Sequence, residues 1–152
     1  MSSASIIIDD THWPLLVLRF VGSPTLKQCK EFFEQRASYL ERGETHVGIS
    51  DATQMKLPPP EFLPLQEAWL LKHEALLAKT FLGVATIVRA PDIQLLKSAA
   101  TYRTPLPYPT INVSTLRAGV DWAVKRLQEA GLQEPALRIQ HAFELEPLQG
   151  SR

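Results

Sequence analysis

Short β-rich runs alternate along this chain with segments of helical period, and that alternation restricts the fold more than any other feature. Ile6 to Ile8 and Leu15 to Val21 are β-rich and are joined by a polar link ending in Pro14, which suits a turn between antiparallel strands. SPTLKQCKEFFEQRASYLERG then reads as a helix. Ser23 or Thr25 would cap its start, Pro24 is tolerated in the first turn, and Gly43 would close it. Leu26, Cys29, Phe33 and Leu40 recur at helical spacing, with Phe32 and Ala37 beside them.

HVGIS follows as a short strand, and EFLPLQEAWLLKHEALLAKTF is the longest helical pattern. Phe62, Trp69, Leu76 and Leu77 lie near one stripe of it. Pro64 fits only in a first turn, so the start falls at Glu61 to Leu63. LGVATIVRA is nearly continuous in apolar residues, as expected of a strand covered on both faces. PDIQLLKSAATYR is another helix, whereas the prolines of TPLPYP forbid one. TINV is a strand, and STLRAGVDWAVKRLQEAG is a helix from Ser114 to Gly131 that buries Leu116, Val120, Ala123 and Leu127.

The order β-β-α-β-α-β-α-β-α predicts a single α/β domain over residues 1–131. Its sheet would be mainly parallel, of about five strands, with an antiparallel N-terminal edge strand and four helices on its faces. Residues 132–152 read as a C-terminal tail carrying Leu137, Ile139, Phe143 and Leu145. That tail is too apolar to be disordered throughout and too short for a domain.

At 152 residues, 45% of them hydrophobic, the chain can build one sizeable core. Sixteen basic and sixteen acidic residues cancel, so no global field draws it to nucleic acid or an anionic membrane. Arg89, Arg103, Arg117, Lys125 and Arg126 are scattered, without an aromatic-basic motif. The single cysteine excludes an internal disulfide framework and a multi-cysteine zinc site. No secretory signal is evident at the start, and no apolar stretch is long enough to insert in a membrane. A cytoplasmic location is the expectation.

LLVLRFVGSPTLKQCKEFFEQ, VGISDAT and YPTINVSTLRAGVDWAVKRL together resemble the SpoIIAA-like branch of the STAS superfamily, the sulfate transporter and anti-sigma-factor antagonist domains. The first is similar to that family's strand, glycine, helix opening, and the second to its strand ending in aspartate. The third is similar to its final proline, strand and helix with an Ala-x-x-x-Trp pair, here Ala118 and Trp122. The resemblance implies a non-catalytic, protein-binding regulatory or scaffold module in bacterial-type signalling. In the anti-sigma antagonists, a serine or threonine beside the aspartate after the third strand is phosphorylated. The matching position here is Thr53, beside Asp51. Some members bind small ligands and a distantly similar fold carries lipids, so a small-molecule or lipid carrier is the alternative.

Asp51, Thr53, Gln54, Lys56, Pro58, Pro59 and Pro60 form the candidate partner-binding loop. A phosphate on Thr53 would add about −1.5 to −2 charge, enough to recruit or release a partner. The structural alternative is that Asp51 satisfies local backbone, Thr53 bonds locally, and the prolines set the exit toward the helix. No catalytic, cofactor or metal site is expected. No two of His12, His46, His73 and His141 are three or four apart, and there is no GxSxG, GxGxxG or phosphate loop. The leucines and alanines of 61–81 and 91–103 would leave room for an acyl chain only if a gap separates them from the sheet. Sheet edges and the apolar tail offer surface for a homo-oligomer.

Overall fold

The computed structural model describes residues 3–145, side chains excepted at 101–103 and 145. Five strands form one sheet in the order β1-β2-β3-β4-β5: Ser5–Asp9, Leu15–Gly22, His46–Met55, Phe81–Ile87 and Thr110–Val113. β1 runs antiparallel to β2 at one edge, and every other pair is parallel. This is the mixed sheet expected from the alternation of elements.

Two apolar layers flank the sheet because successive strand residues point to opposite faces. Leu16, Leu18 and Phe20 of β2 face α1 (Leu26–Leu40), α2 (Phe62–Lys72), α3 (Glu74–Thr80) and α4 (Pro91–Arg103). Leu15 and Val17 face α5 (Leu116–Glu129) and α6 (Gln133–Leu145). Within α1, Cys29, Phe32, Phe33 and Leu40 are buried, as the spacing predicts. The sulfur-bearing side chain of Cys29 is fully buried, and burial raises its thiol pKa.

Among the described residues there are six helices where four were expected. The pattern read as one helix over 61–81 is two, α2 and α3, meeting at His73 (φ −109°, ψ 14°). Trp69 of α2 and Leu77 of α3 enter the same core on either side of the break. The sixth helix is α6. It folds onto α5 and buries Ala136, Ile139 and Phe143, so residues 133–145 are part of the packed body rather than a loose extension. Leu137 is exposed, and the Leu145 side chain lies outside the described residues.

Helix α1 starts at a capping box. Thr25 Oγ1 accepts from the Gln28 N–H at 3.1 Å, and Gln28 Oε1 accepts from the Thr25 N–H at 2.9 Å. Of the two candidate caps, Thr25 is the one used. Thr25→Ala removes an acceptor for a helix-end N–H and should cost about 1 kcal/mol in chemical denaturation, as other cap removals do. Ser23 instead donates its hydroxyl to Leu57 O at 2.9 Å. For α5 the cap is Thr115, which accepts from the Ala118 N–H at 3.1 Å, and the helix begins at Leu116 rather than at Ser114.

Candidate functional site

Two places carry polar groups whose arrangement goes beyond packing. One is the C-terminal end of β3 with the segment that follows it. The strand runs on to Met55, through residues expected to be loop, because β2 is long enough to pair with it. Asp51 sits opposite Arg19, Gln54 opposite Val21 and Met55 opposite Gly22. A register irregularity between Arg19 and Val21 accommodates the extra residue. Asp51, Thr53 and Gln54 are therefore strand residues, and Lys56 and Pro58 to Pro60 form the connection to α2.

Asp51 Oδ1 accepts from the Thr53 N–H at 3.0 Å and from the Thr53 hydroxyl at 2.7 Å. This is a local Asx-type arrangement held in a strand. The backbone beyond it is also fixed. The Lys56 N–H donates to Gly22 O at 2.9 Å, and Ser23 binds Leu57 O. Leu57 is left 49% exposed on this pinned ridge.

The other place is a cavity of about 120 Å³ between the sheet and the helices α1, α2 and α4. Leu18, Phe20 and Ala52 form its floor, and Phe32, Phe33 and Trp69 line its side. The Trp69 indole N–H donates to Phe33 O at 2.9 Å, which fixes that side wall. Ile93 and Ala100 of α4 close it from above. Into this apolar space project Arg36 of α1, Lys97 of α4 and Tyr108 of the segment before β5. Each is half-buried.

Arg36 and Lys97 are the two cations among its lining residues. Arg36 Cζ lies 4.7 Å from the centre of the Trp69 ring and 5.1 Å from that of Phe81, and its guanidinium lies beside the Tyr108 hydroxyl. Burial, with the Arg36 charge beside it, lowers the Lys97 ammonium to about 8. Burial pushes the Tyr108 hydroxyl up, so it stays protonated at neutral pH. His46, 5.1 Å from Phe81, and His73, 4.9 Å from Trp69, are both pushed down, chiefly by burial.

None of Arg36, Lys97 and Tyr108 stood among the expected site residues. A signal was present for two of them. Arg36 lies three residues after Phe33 and four before Leu40, on the buried stripe of α1, and Lys97 lies four after the buried Ile93. A cation at helical spacing within an apolar stripe is either paired or facing a cavity. Tyr108 sits in TPLPYP, where no periodicity assigns a direction.

Among the described residues no group of three or more His, Cys, Asp or Glu side chains could hold a metal ion. No described helix is long and apolar enough to cross a membrane. The apolar residues Ala136, Ile139 and Phe143 are turned onto α5, and Ile7 and Ile111 are exposed on the edge strands β1 and β5.

The fold is SpoIIAA-like. The chain superimposes on an uncharacterized protein of the DUF3478 family with a SpoIIAA-like fold from Shewanella loihica PV-4. The TM-score is 0.59 at 22% identity, over 81% of this chain and 98% of that one. It also matches an anti-sigma factor antagonist from Mycobacterium paratuberculosis, with a TM-score of 0.50 at 16% identity, over 80% of this chain and 94% of that one. No protein-family model and no curated protein sequence matches the chain.

Proposed function

We propose that this domain is a non-catalytic protein-binding module that regulates or scaffolds a partner, docking it on the end of β3 and the ridge from Lys56 to Pro60. The observation that carries this reading is Leu57, 49% exposed on a backbone pinned by Gly22 and Ser23 and followed by three prolines. An extended segment already held in one conformation gives up little entropy on binding. The fold shared with an anti-sigma factor antagonist supports a regulatory role through protein contacts.

Thr53 is the switch in this reading. A phosphate there would replace the hydroxyl's bond to Asp51 and set a near-dianion against that carboxylate. Repulsion would then re-aim the strand end that leads into the ridge. The test is affinity capture from the host with wild type, Thr53→Glu and Leu57→Asp. Both variants should keep the wild-type circular dichroism and change retention of a partner about tenfold, a difference of ~1.4 kcal/mol. An identical set of captured proteins for all three rejects the docking surface.

A further inference from the structure

We propose that the cavity beneath α4 is a binding site for a small neutral aromatic molecule, a single ring carrying one oxygen, and that α4 is the lid through which it enters. This site is separate from the docking ridge and stands without it.

Volume sets the size of the occupant. The cavity holds about 120 Å³. An engineered protein cavity of about 150 Å³ takes one benzene, so a single ring suits this space. Fused rings or a long acyl chain would have to displace α4. Interiors are close-packed, and voids larger than a water molecule are few. Here two small side chains help to keep one open, Ala52 on the floor and Ala100 overhead.

The walls decide the body of the ligand. Phe20, Phe32, Phe33, Phe62 and Trp69 line the space and already pack against one another. Phe20 meets Phe32 edge-on at 5.3 Å, and Phe33 meets Trp69 tilted at 5.6 Å. The indole bond to Phe33 O holds Trp69 in that place. An aromatic ligand continues this series of edge and tilted contacts, which an aliphatic ring of the same size cannot make.

Charge decides that the ligand is neutral. Both cations of the lining are already engaged. Arg36 lies against the Trp69 and Phe81 rings with the Tyr108 hydroxyl beside it, and Lys97 interacts within the protein. A carboxylate would give up its water without meeting a cation that lacks partners, and an ammonium would face the Arg36 charge. Ser50 of β3, Gln66 of α2 and Tyr108 supply uncharged polar groups instead. Burial keeps the Tyr108 hydroxyl protonated at neutral pH, and the neighbouring guanidinium favours its hydrogen turned away from Arg36. That hydroxyl can donate to a single ligand oxygen. Phenol has the ring, the oxygen and the size.

The roof decides the route. Among the described side chains of α4, Ile93 alone is buried, whereas α5 buries Gly119, Val120, Ala123, Val124 and Leu127. Leu95, on the outside of α4, is 71% exposed. A helix with so few buried contacts belongs to the part of a fold that opens locally at low cost. A ligand seated beneath it adds contacts that the open state lacks, so it should hold α4 closed.

The experiment titrates the full chain with phenol, cyclohexanol and benzoate, monitored by amide shifts in NMR. Phenol should bind with a dissociation constant of about 1 mM or better and perturb α1, α2 and α4. Cyclohexanol should bind at least about threefold more weakly, for want of aromatic contacts, and benzoate at least about tenfold more weakly. With phenol at about ten times its dissociation constant, amide exchange in α4 should slow about tenfold. Tyr108→Phe should weaken phenol about fivefold, and an unchanged affinity removes the oxygen from Tyr108. Ala100→Trp, which fills the cavity from α4, should abolish binding. If that variant does not fold, the three ligands on the wild-type chain decide alone. The proposal is overturned by no shifts with phenol at about 10 mM, by cyclohexanol or benzoate binding as tightly as phenol, or by undiminished binding to folded Ala100→Trp. Unchanged exchange in α4 on saturation overturns the lid.

Discussion

Replacing Gly83 by alanine should destabilise the domain by about 2 to 6 kcal/mol, enough to bring a typical domain to the edge of unfolding. Two independent costs add at this one residue. Its φ is +130°, a conformation that an L side chain rarely adopts, and forcing alanine into it costs about 1–3 kcal/mol. The new methyl would also run into the carbonyl oxygen of Pro109 and lie 2.8 Å from the Trp122 ring. Neither neighbour can retreat cheaply. Pro109 O accepts the Val84 N–H at 3.2 Å in the β4–β5 connection, and Trp122 is packed against the α5 face of the core. Overpacking of this kind costs about 1–3 kcal/mol more. Gly43 supplies the control. Its φ is +69°, but nothing lies within 4 Å of where its Cβ would stand, so Gly43→Ala carries backbone strain alone, about 1 kcal/mol. Urea denaturation of both variants checks the prediction, and equal losses would show that the close contact at Gly83 is relieved by relaxation.

The strand and helix order was legible because periodicity and proline act locally. TINV is β5 over Thr110–Val113, and PDIQLLKSAATYR is α4 over Pro91–Arg103, each bounded by residues that cannot continue the element before it. What failed to show was set by distant partners. DATQM looked like a turn because aspartate and threonine favour turns. It is strand because β2 supplies a ladder that far, and because Asp51 and Thr53 satisfy each other within it. The break at His73 has no glycine or proline to announce it.

The candidate site was legible in the same uneven way. The Asp51 to Pro60 stretch stood out by composition, and the structure gives it a pinned backbone. The cavity needed three elements distant in sequence to meet: α1, α4 and the residues before β5. A net charge of zero concealed it, because the balance over the whole chain says nothing of two cations brought together inside. Only the helical spacing of Arg36 on the α1 stripe and of Lys97 after Ile93 pointed inward.

Removing α6 should cost the domain most of its stability, and a single side chain within it should carry a large share. Ile139 is fully buried beside Leu127, Val124 and the sheet residues Leu15, Val17 and Val47. Ile139→Ala should cost about 2–5 kcal/mol, from the lost transfer energy and the hole left behind. Leu137, on the same helix but 60% exposed, should change stability by less than about 0.5 kcal/mol when cut to alanine. A chain ending at Leu132 loses Ala136, Ile139 and Phe143 together, along with the Arg138 guanidinium that donates to Trp13 O at 3.3 Å and the ring contact of Phe143 with His12 at 4.8 Å. It would present the apolar face of α5 to water, and that face should drive it into aggregates or higher oligomers on size exclusion. If the truncated chain elutes as the intact one does and melts at the same temperature, α6 is an appendage. The two point variants then separate the causes. A large loss from Ile139→Ala with none from Leu137→Ala assigns the effect to the buried stripe at positions 136, 139 and 143, rather than to helix formation as such.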